Sequence, residues 1–219
     1  MPLRRFVLFL PLACALPLAL AAQVYLAYPS AGLIREMRAR FGAPAEQSLG
    51  VWRDRLRAPE LAATDELTRV MAINRLANSI PYASDEEHWR SPEYWATPAE
   101  FVASNGGDCE DYVFAKYFAL RDAGVGADKL RMVYVRAREA NGVIINHMVL
   151  AYYPGPAEEP LILDNRVPRV LPAHARSDLE PVYAFNDELI FQSGGSAGTS
   201  SEIRRWRDLS ERIRRERSL

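Results

Sequence analysis

The stretch Asn105-Gly106-Gly107-Asp108-Cys109-Glu110-Asp111-Tyr112 decides how the chain is read. Asn105 to Asp108 is a turn, and the residues from Cys109 to about Asp122 carry the apolar spacing of a helix. The helix should stop at Ala123-Gly124, where glycine suits the left-handed residue beyond a helix end. Cys109 therefore falls in the first helical turn, where unpaired backbone N–H groups and the helix dipole favour a thiolate. The adjacent carboxylates of Asp108, Glu110 and Asp111 oppose it. A bound cation would offset them, and carboxylate oxygens suit Ca2+ better than softer metals. Plain capping of the helix start by these acids accounts for the same residues, and from spacing alone the two readings stand level.

Upstream of this turn the spacing predicts helices over about Ala31–Phe41, Ser48–Arg57 and Thr64–Leu76, the last with Thr64 as N-cap and Leu67, Val70, Met71 and Ile73 or Asn74 facing inward. Pro81, Pro92 and Pro98 break the next stretch into a loop carrying Tyr82, Trp89, Tyr94 and Trp95, read as core and cleft wall. Downstream the period changes to two. Leu130–Arg138, Asn146–Tyr153 and Leu161–Asn165 read as antiparallel strands separated by Asn141-Gly142 and Pro154-Gly155-Pro156, with a further short strand at Tyr183–Phe185 or Leu189–Phe191. Helices first and strands second give an α+β fold.

The chain has 219 residues, 27 basic and 28 acidic side chains, and 49% hydrophobic residues, which fits one globular domain and excludes a multi-span membrane protein. A formal charge of −1 gives no reason to expect nucleic acid. At the N-terminus, Arg4-Arg5, the apolar run Phe6–Leu20 and Ala19-Leu20-Ala21 have the layout of a cleavable signal peptide over residues 1–22. The apolar run is short for a bilayer span and holds two prolines. Pro11-Leu12-Ala13 ahead of Cys14 make a poor lipoprotein signal. Cleavage would remove Arg4, Arg5 and Cys14, leaving 25 basic against 28 acidic side chains, a net −3, and Cys109 as the only cysteine. An exported protein normally pairs its thiols or lacks them, so a solitary one is either inert and buried or kept for its reactivity.

A nucleophilic thiol needs a base and a group to orient that base. Of His88, His147 and His174, only His147 opens a strand of the sheet expected to pack on the Cys109 helix. Asp164 ends the next strand, so the two become cross-strand neighbours in an antiparallel hairpin. Taken one at a time, a strand histidine or strand-end aspartate is more often structural. With the lone thiol at a helix start, the three together read as catalytic.

Gly107-Asp-Cys-Glu-Asp-Tyr112, then Asn146-His-Met-Val-Leu150, then Pro160-Leu-Ile-Leu-Asp-Asn165 resemble the bacterial transglutaminase-like cysteine proteinases, of which the LapG-type periplasmic adhesin proteases are the best-known members. Asn74, Asn78, Ile80-Pro81-Tyr82, Trp89 and Tyr94–Phe101 resemble the same family, and the match runs from about Trp52 to Arg166. The resemblance implies a papain/transglutaminase-like fold, with Cys109 as nucleophile, His147 as general base and acid, and Asp164 orienting the imidazole. It implies Ca2+ held by Asp108 and Glu110, with Asp111 as a third ligand. It also implies cleavage of a large surface adhesin near its N-terminus, release of biofilm cells, and sequestration by the periplasmic domain of an inner-membrane cyclic di-GMP receptor.

On this reading residues 23–192 are the protease domain, acting as a monomer or weak dimer. Residues 193–201 are a flexible linker by composition, and 202–219 an arginine-rich amphipathic helix whose Ile203, Trp206, Leu209 and Ile213 stripe packs on the domain or a partner. If that tail only docks, truncation after Gln192 spares catalysis. The oxyanion is expected to rest on the Cys109 backbone N–H, with the Trp95 indole or the Asn105 amide as second donor. Transfer of the acyl group to an amine, or a calcium-responsive binding module with a dead site, are the alternatives.

Overall fold

The computed structural model describes residues 28–58, 61, 65–192 and 195–219. The expected signal peptide and the proposed cap Thr64 lie outside them. The chain opens with α1 (Ala31–Phe41), capped by the Ser30 hydroxyl accepting the Leu33 N–H at 3.1 Å, and α2 (Ala43–Leu56). Leu33, Met37, Leu49 and Trp52 supply their inner faces. In α3 (Glu66–Asn78) it is Asp65 that caps, accepting the Thr68 N–H at 3.0 Å. Val70, Ile73, Asn74 and Ala77 point inward there, while Leu67 and Met71, expected to do so, are more than a third exposed.

The proline-broken stretch is more ordered than its composition suggested. It contains α4 (Asp85–Trp89) and α5 (Pro98–Ser104), five and seven residues long, too short for a periodicity to register. A capping box was nonetheless written there: Thr97 and Glu100 satisfy each other's backbone N–H at the start of α5. Then α6 (Cys109–Asp122) runs to the expected end, with Gly124 at φ +89°.

Seven strands follow in one antiparallel sheet: β1 (Leu130–Arg138), β2 (Ile144–Tyr152), β3 (Leu161–Leu163), β4 (Leu171–Pro172), β5 (Leu179–Phe185), β6 (Leu189–Gln192) and β7 (Gly195–Thr199), in the order β4-β3-β2-β1-β5-β6-β7. Alternation assigns the two faces. Leu130, Met132, Met148, Leu150 and Leu163 join the main core with the helices, and Val133, Val135, Val149, Ala151 and Ile162 form a smaller cluster on the other face.

The end of the chain departs from the sequence reading. Gly195–Thr199, read as linker, pairs with β6 as an edge strand, because small residues are no obstacle to backbone pairing. The last helix, α7 (Arg204–Arg217), settles the choice left open for its apolar stripe. Trp206, Leu209 and Ile213 are buried in the main core, and the Trp206 ring lies 5.4 Å from that of Phe185 and 6.0 Å from that of Phe118. Among the described residues no helix is long and apolar enough to cross a membrane.

Candidate active site

Cys109 sits where the sequence placed it, at the first position of α6, with its side chain against the sheet. Its thiol donates to Glu110 Oε2 at 2.7 Å and lies at the backbone N–H of Met148 on β2. The helix start does not win the contest over its charge. Burial, then the Glu110 and Asp108 carboxylates, push the thiol well above its ordinary pKa, against the smaller pull of the Met148 N–H.

Next to Met148 is His147, opposite Val135 in the β1–β2 ladder. Its Nε2 is 2.8 Å from Asp164 Oδ1, both side chains being buried. The register pairs Leu150 with Leu163, so Asp164 leaves β3 close enough to reach back to His147. The cross-strand juxtaposition expected from the hairpin is therefore present. Asp164 is also held by the Arg166 N–H at 2.9 Å on Oδ1 and by Arg176 Nη2 at 2.8 Å on Oδ2, which the sequence reading did not flag. Asn78, noted for the family resemblance, donates its Nδ2 to the Asp164 main-chain carbonyl at 2.8 Å. Burial alone would raise the Asp164 carboxyl, but its bond to His147, then the Arg166 N–H and Arg176, hold it far below the usual carboxylate range. The other histidines have different partners: His88 bonds Ser104 Oγ at 2.8 Å beside a cavity of about 550 Å³ behind the turn, and His174 bonds the exposed Glu159.

The acids around Cys109 form two overlapping groups, Asp108 with Cys109 and Glu110, and Asp108 with Asp111 and Asp85. In each, the donor atoms lie within 4.8 Å of one another. Asp85, 23 positions upstream of Asp108, is the member that the sequence reading missed. Its Oδ2 accepts the Tyr94 N–H at 2.5 Å, and Asp111 Oδ1 accepts the Ala96 N–H at 2.7 Å. Asp85 Oδ1, Asp108 Oδ1 and Asp111 Oδ2 are buried without a hydrogen-bond partner. Burial and then mutual repulsion push Asp108 up to about 9 and Asp111 well above its ordinary value. Gly107 makes the close approach, since a Cβ there would stand 2.4 Å from Asp111 Oδ2. Buried, unpartnered, hard oxygens converging on one point fit a divalent cation such as Ca2+.

The Trp95 ring packs on Phe114 at 4.9 Å and is largely buried. Asn105 takes the left-handed conformation that ends α5. Deeper along α6, Lys116 is wholly buried, its Nζ has no hydrogen-bond partner, and it stands 5.9 Å from the Tyr112 ring. Burial pushes this amine down to about 7, with Asp164 pulling the other way.

The sequence profile of the bacterial transglutaminase-like cysteine proteinases matches residues 52–179, more than half of the chain and all of the segment carrying Cys109, His147 and Asp164. This chain belongs to that family. Its fold agrees with the solved structure of Legionella pneumophila LapG, at 33% identity and a TM-score of 0.70 over 82% of this chain and 94% of that one. EGTA-treated LapG matches at 33% identity and a TM-score of 0.71, covering 82% and 95% of the two chains. Calcium-bound LapG matches at 33% and 0.69, covering 82% and 97%. No curated protein matches the sequence significantly. Family membership makes the chain a hydrolase of the cysteine peptidase class, and α7 lies outside the matched profile.

Proposed function

We propose that the protein is a calcium-dependent periplasmic cysteine endopeptidase that cleaves the N-terminal region of a large surface adhesin and so controls release of cells from a biofilm. One observation carries the catalytic part: the Cys109 sulfur lies at the N–H of Met148, one residue from His147, whose Nε2 is engaged by a buried carboxylate. With Nε2 committed to Asp164, Nδ1 is the nitrogen left to serve the thiol.

In the proposed reaction His147 takes the thiol proton and the Cys109 sulfur adds to the scissile carbonyl carbon. The tetrahedral oxyanion is met by the Cys109 backbone N–H at the open start of α6. The C–N bond then breaks as His147 returns the proton to the leaving amine, which leaves a thioester. A water deprotonated by the same histidine hydrolyses it, releasing the carboxylic acid and the thiol. Asp164 keeps the ring in the required tautomer and favours its protonated form throughout. Asp85, Asp108 and Asp111, with Glu110, would hold Ca2+, whose charge offsets theirs and steadies the Asn105–Asp108 turn ahead of the nucleophile.

The calcium part is supported by the unpartnered carboxylate oxygens and by a calcium-bound relative. Export is supported by the N-terminal sequence. Substrate, biofilm role and the periplasmic domain of a cyclic di-GMP receptor as partner come from the family resemblance. The test is digestion of a recombinant adhesin N-terminal fragment. Cleavage should require calcium, stop in EGTA and vanish in Cys109→Ala, while that variant still binds calcium by calorimetry. Full cleavage by Cys109→Ala would refute the mechanism, and undiminished cleavage in EGTA would refute the metal dependence.

A further inference from the structure

The segment Glu93–Ala96 lies between the acidic cluster and the C-terminal helix. Toward the cluster it turns two N–H groups, Tyr94 to Asp85 Oδ2 and Ala96 to Asp111 Oδ1. Toward α7 it presents groups that arginines hold: Arg205 pairs with the Glu93 carboxylate, and Arg212 binds the Tyr94 hydroxyl at 2.9 Å and the Trp95 carbonyl. The Trp95 carbonyl and the Ala96 N–H belong to one peptide unit, which is planar and stiff. A single rigid plate therefore has a guanidinium on its oxygen and a buried carboxylate on its nitrogen. A cation on the carbonyl also polarises the unit and strengthens the N–H as a donor.

Arg212 is itself well fixed. It bonds Glu100 Oε2 at 2.6 Å, its guanidinium lies 4.9 Å from the Tyr94 ring centre, and α7 is anchored by Trp206, Leu209 and Ile213 in the core. On the Asp111 side, Oδ1 is taken by Ala96, so Oδ2 is the oxygen left without a partner in the cluster. The plate therefore sets which Asp111 oxygen faces the cation.

We propose that Arg212 is a positioning residue for the calcium site, acting through the Trp95–Ala96 peptide, and that docking of α7 and calcium binding are thermodynamically linked. This rests on the calcium reading given above. Partners that orient a metal's direct ligands typically carry 10- to 100-fold in affinity, and linkage requires calcium to stabilise α7 as much as α7 favours calcium.

The test uses the full chain. Calcium titration by calorimetry compares wild type with Arg212→Met and Arg212→Lys, each checked for folding by circular dichroism in EGTA. In parallel, hydrogen exchange of α7 amides is followed in wild type with calcium and with EGTA. We expect Arg212→Met to bind calcium about 10- to 100-fold more weakly, and Arg212→Lys, which keeps a charged donor, to recover part of the loss. Calcium should slow exchange along α7. A folded Arg212→Met with wild-type affinity overturns the proposal, and so does exchange in α7 that calcium leaves unchanged. The exchange arm decides alone if the variant does not fold. Wild type that binds no calcium would overturn the metal reading itself, whereas wild type that binds while both arms stay flat would overturn only the linkage.

Discussion

Nε2 of His147 stands 2.8 Å from Oδ1 of Asp164, and Arg176 closes the other carboxylate oxygen at 2.8 Å, so the aspartate has no freedom to turn away from the imidazole. Asp164→Asn should keep the shape of the site but offer the ring an amide in place of an anion. On the proposed mechanism kcat/KM then falls by roughly 10²- to 10⁴-fold, mostly in kcat. Steady-state cleavage at saturating calcium is the check, and a fall below tenfold would remove Asp164 from the proposed machinery.

The same carboxyl makes an acid-stability prediction. Its folded pKa lies below the ordinary 3.8, so the unfolded state binds the extra proton over that interval. Its stabilising contribution is complete above about pH 4 and is lost as pH falls through the depressed folded value. Melting curves of wild type should thus drop more steeply below pH 4 than those of Asp164→Asn. Parallel curves would contradict the paired, ionised Asp164.

Asp85→Asn should weaken calcium binding by roughly tenfold or more, as loss of a charged oxygen ligand does at sites tuned by ligand charge. Calorimetric affinity equal to wild type would mean that Asp85 is only a cap for the Tyr94 N–H. The residue also shows where reading the sequence ran out. Asp108, Glu110 and Asp111 announce themselves because they flank a lone cysteine at a helix start. Asp85 stands within a run of charged residues at the start of a five-residue helix, and nothing local separates it from Glu86 and Glu87, which are exposed. Only the turn through Pro92 and Tyr94 brings it beneath the nucleophile loop.

Lys116→Met should raise stability, and the gain should depend on pH. Here the folded pKa, about 7, lies below the unfolded 10.5. Between those values the unfolded state holds the extra proton, so burying the amine costs most below pH 7 and progressively less as pH rises toward 10.5. The gain in melting temperature should therefore be several degrees at pH 6 and close to nothing near pH 10. A variant less stable than wild type at pH 6 would show that the amine has a partner worth keeping.

The middle of the chain was legible because its signals are local and repeated. The α6 and β1 spans follow from periodicity alone, and the His147–Asp164 contact from hairpin register. In the C-terminal part the helix and its apolar stripe were legible and the strand before them was not. Residues 193–201 carry glycine and serine, which the eye takes for a tether, and their strand exists only because β6 offers an edge to pair with. The α7 stripe was visible, but a stripe does not say what it packs on.

That packing removes the condition on which truncation after Gln192 would spare catalysis, because the tail is part of the core. Trp206 meets Phe114, Tyr117, Phe118 and Phe185 with ring centres 5.4–6.4 Å apart, and Leu209 is fully buried beside it. Phe114, Tyr117 and Phe118 lie on the helix that begins with Cys109, so the cavity left by Trp206→Ala would open against the helix that carries the nucleophile. Emptying a buried tryptophan costs about 3–5 kcal/mol, a loss on the order of 10 °C in melting temperature for a domain of this size. Truncation after Gln192 would also remove β7 from the edge of β6 and uncover the aromatic face that α7 covers, and it should give a chain with no cooperative melting transition and no peptidase activity. Thermal melts in EGTA, where calcium cannot mask the loss, measure both. A truncated chain that melts like wild type would return α7 to the role of an accessory docking helix.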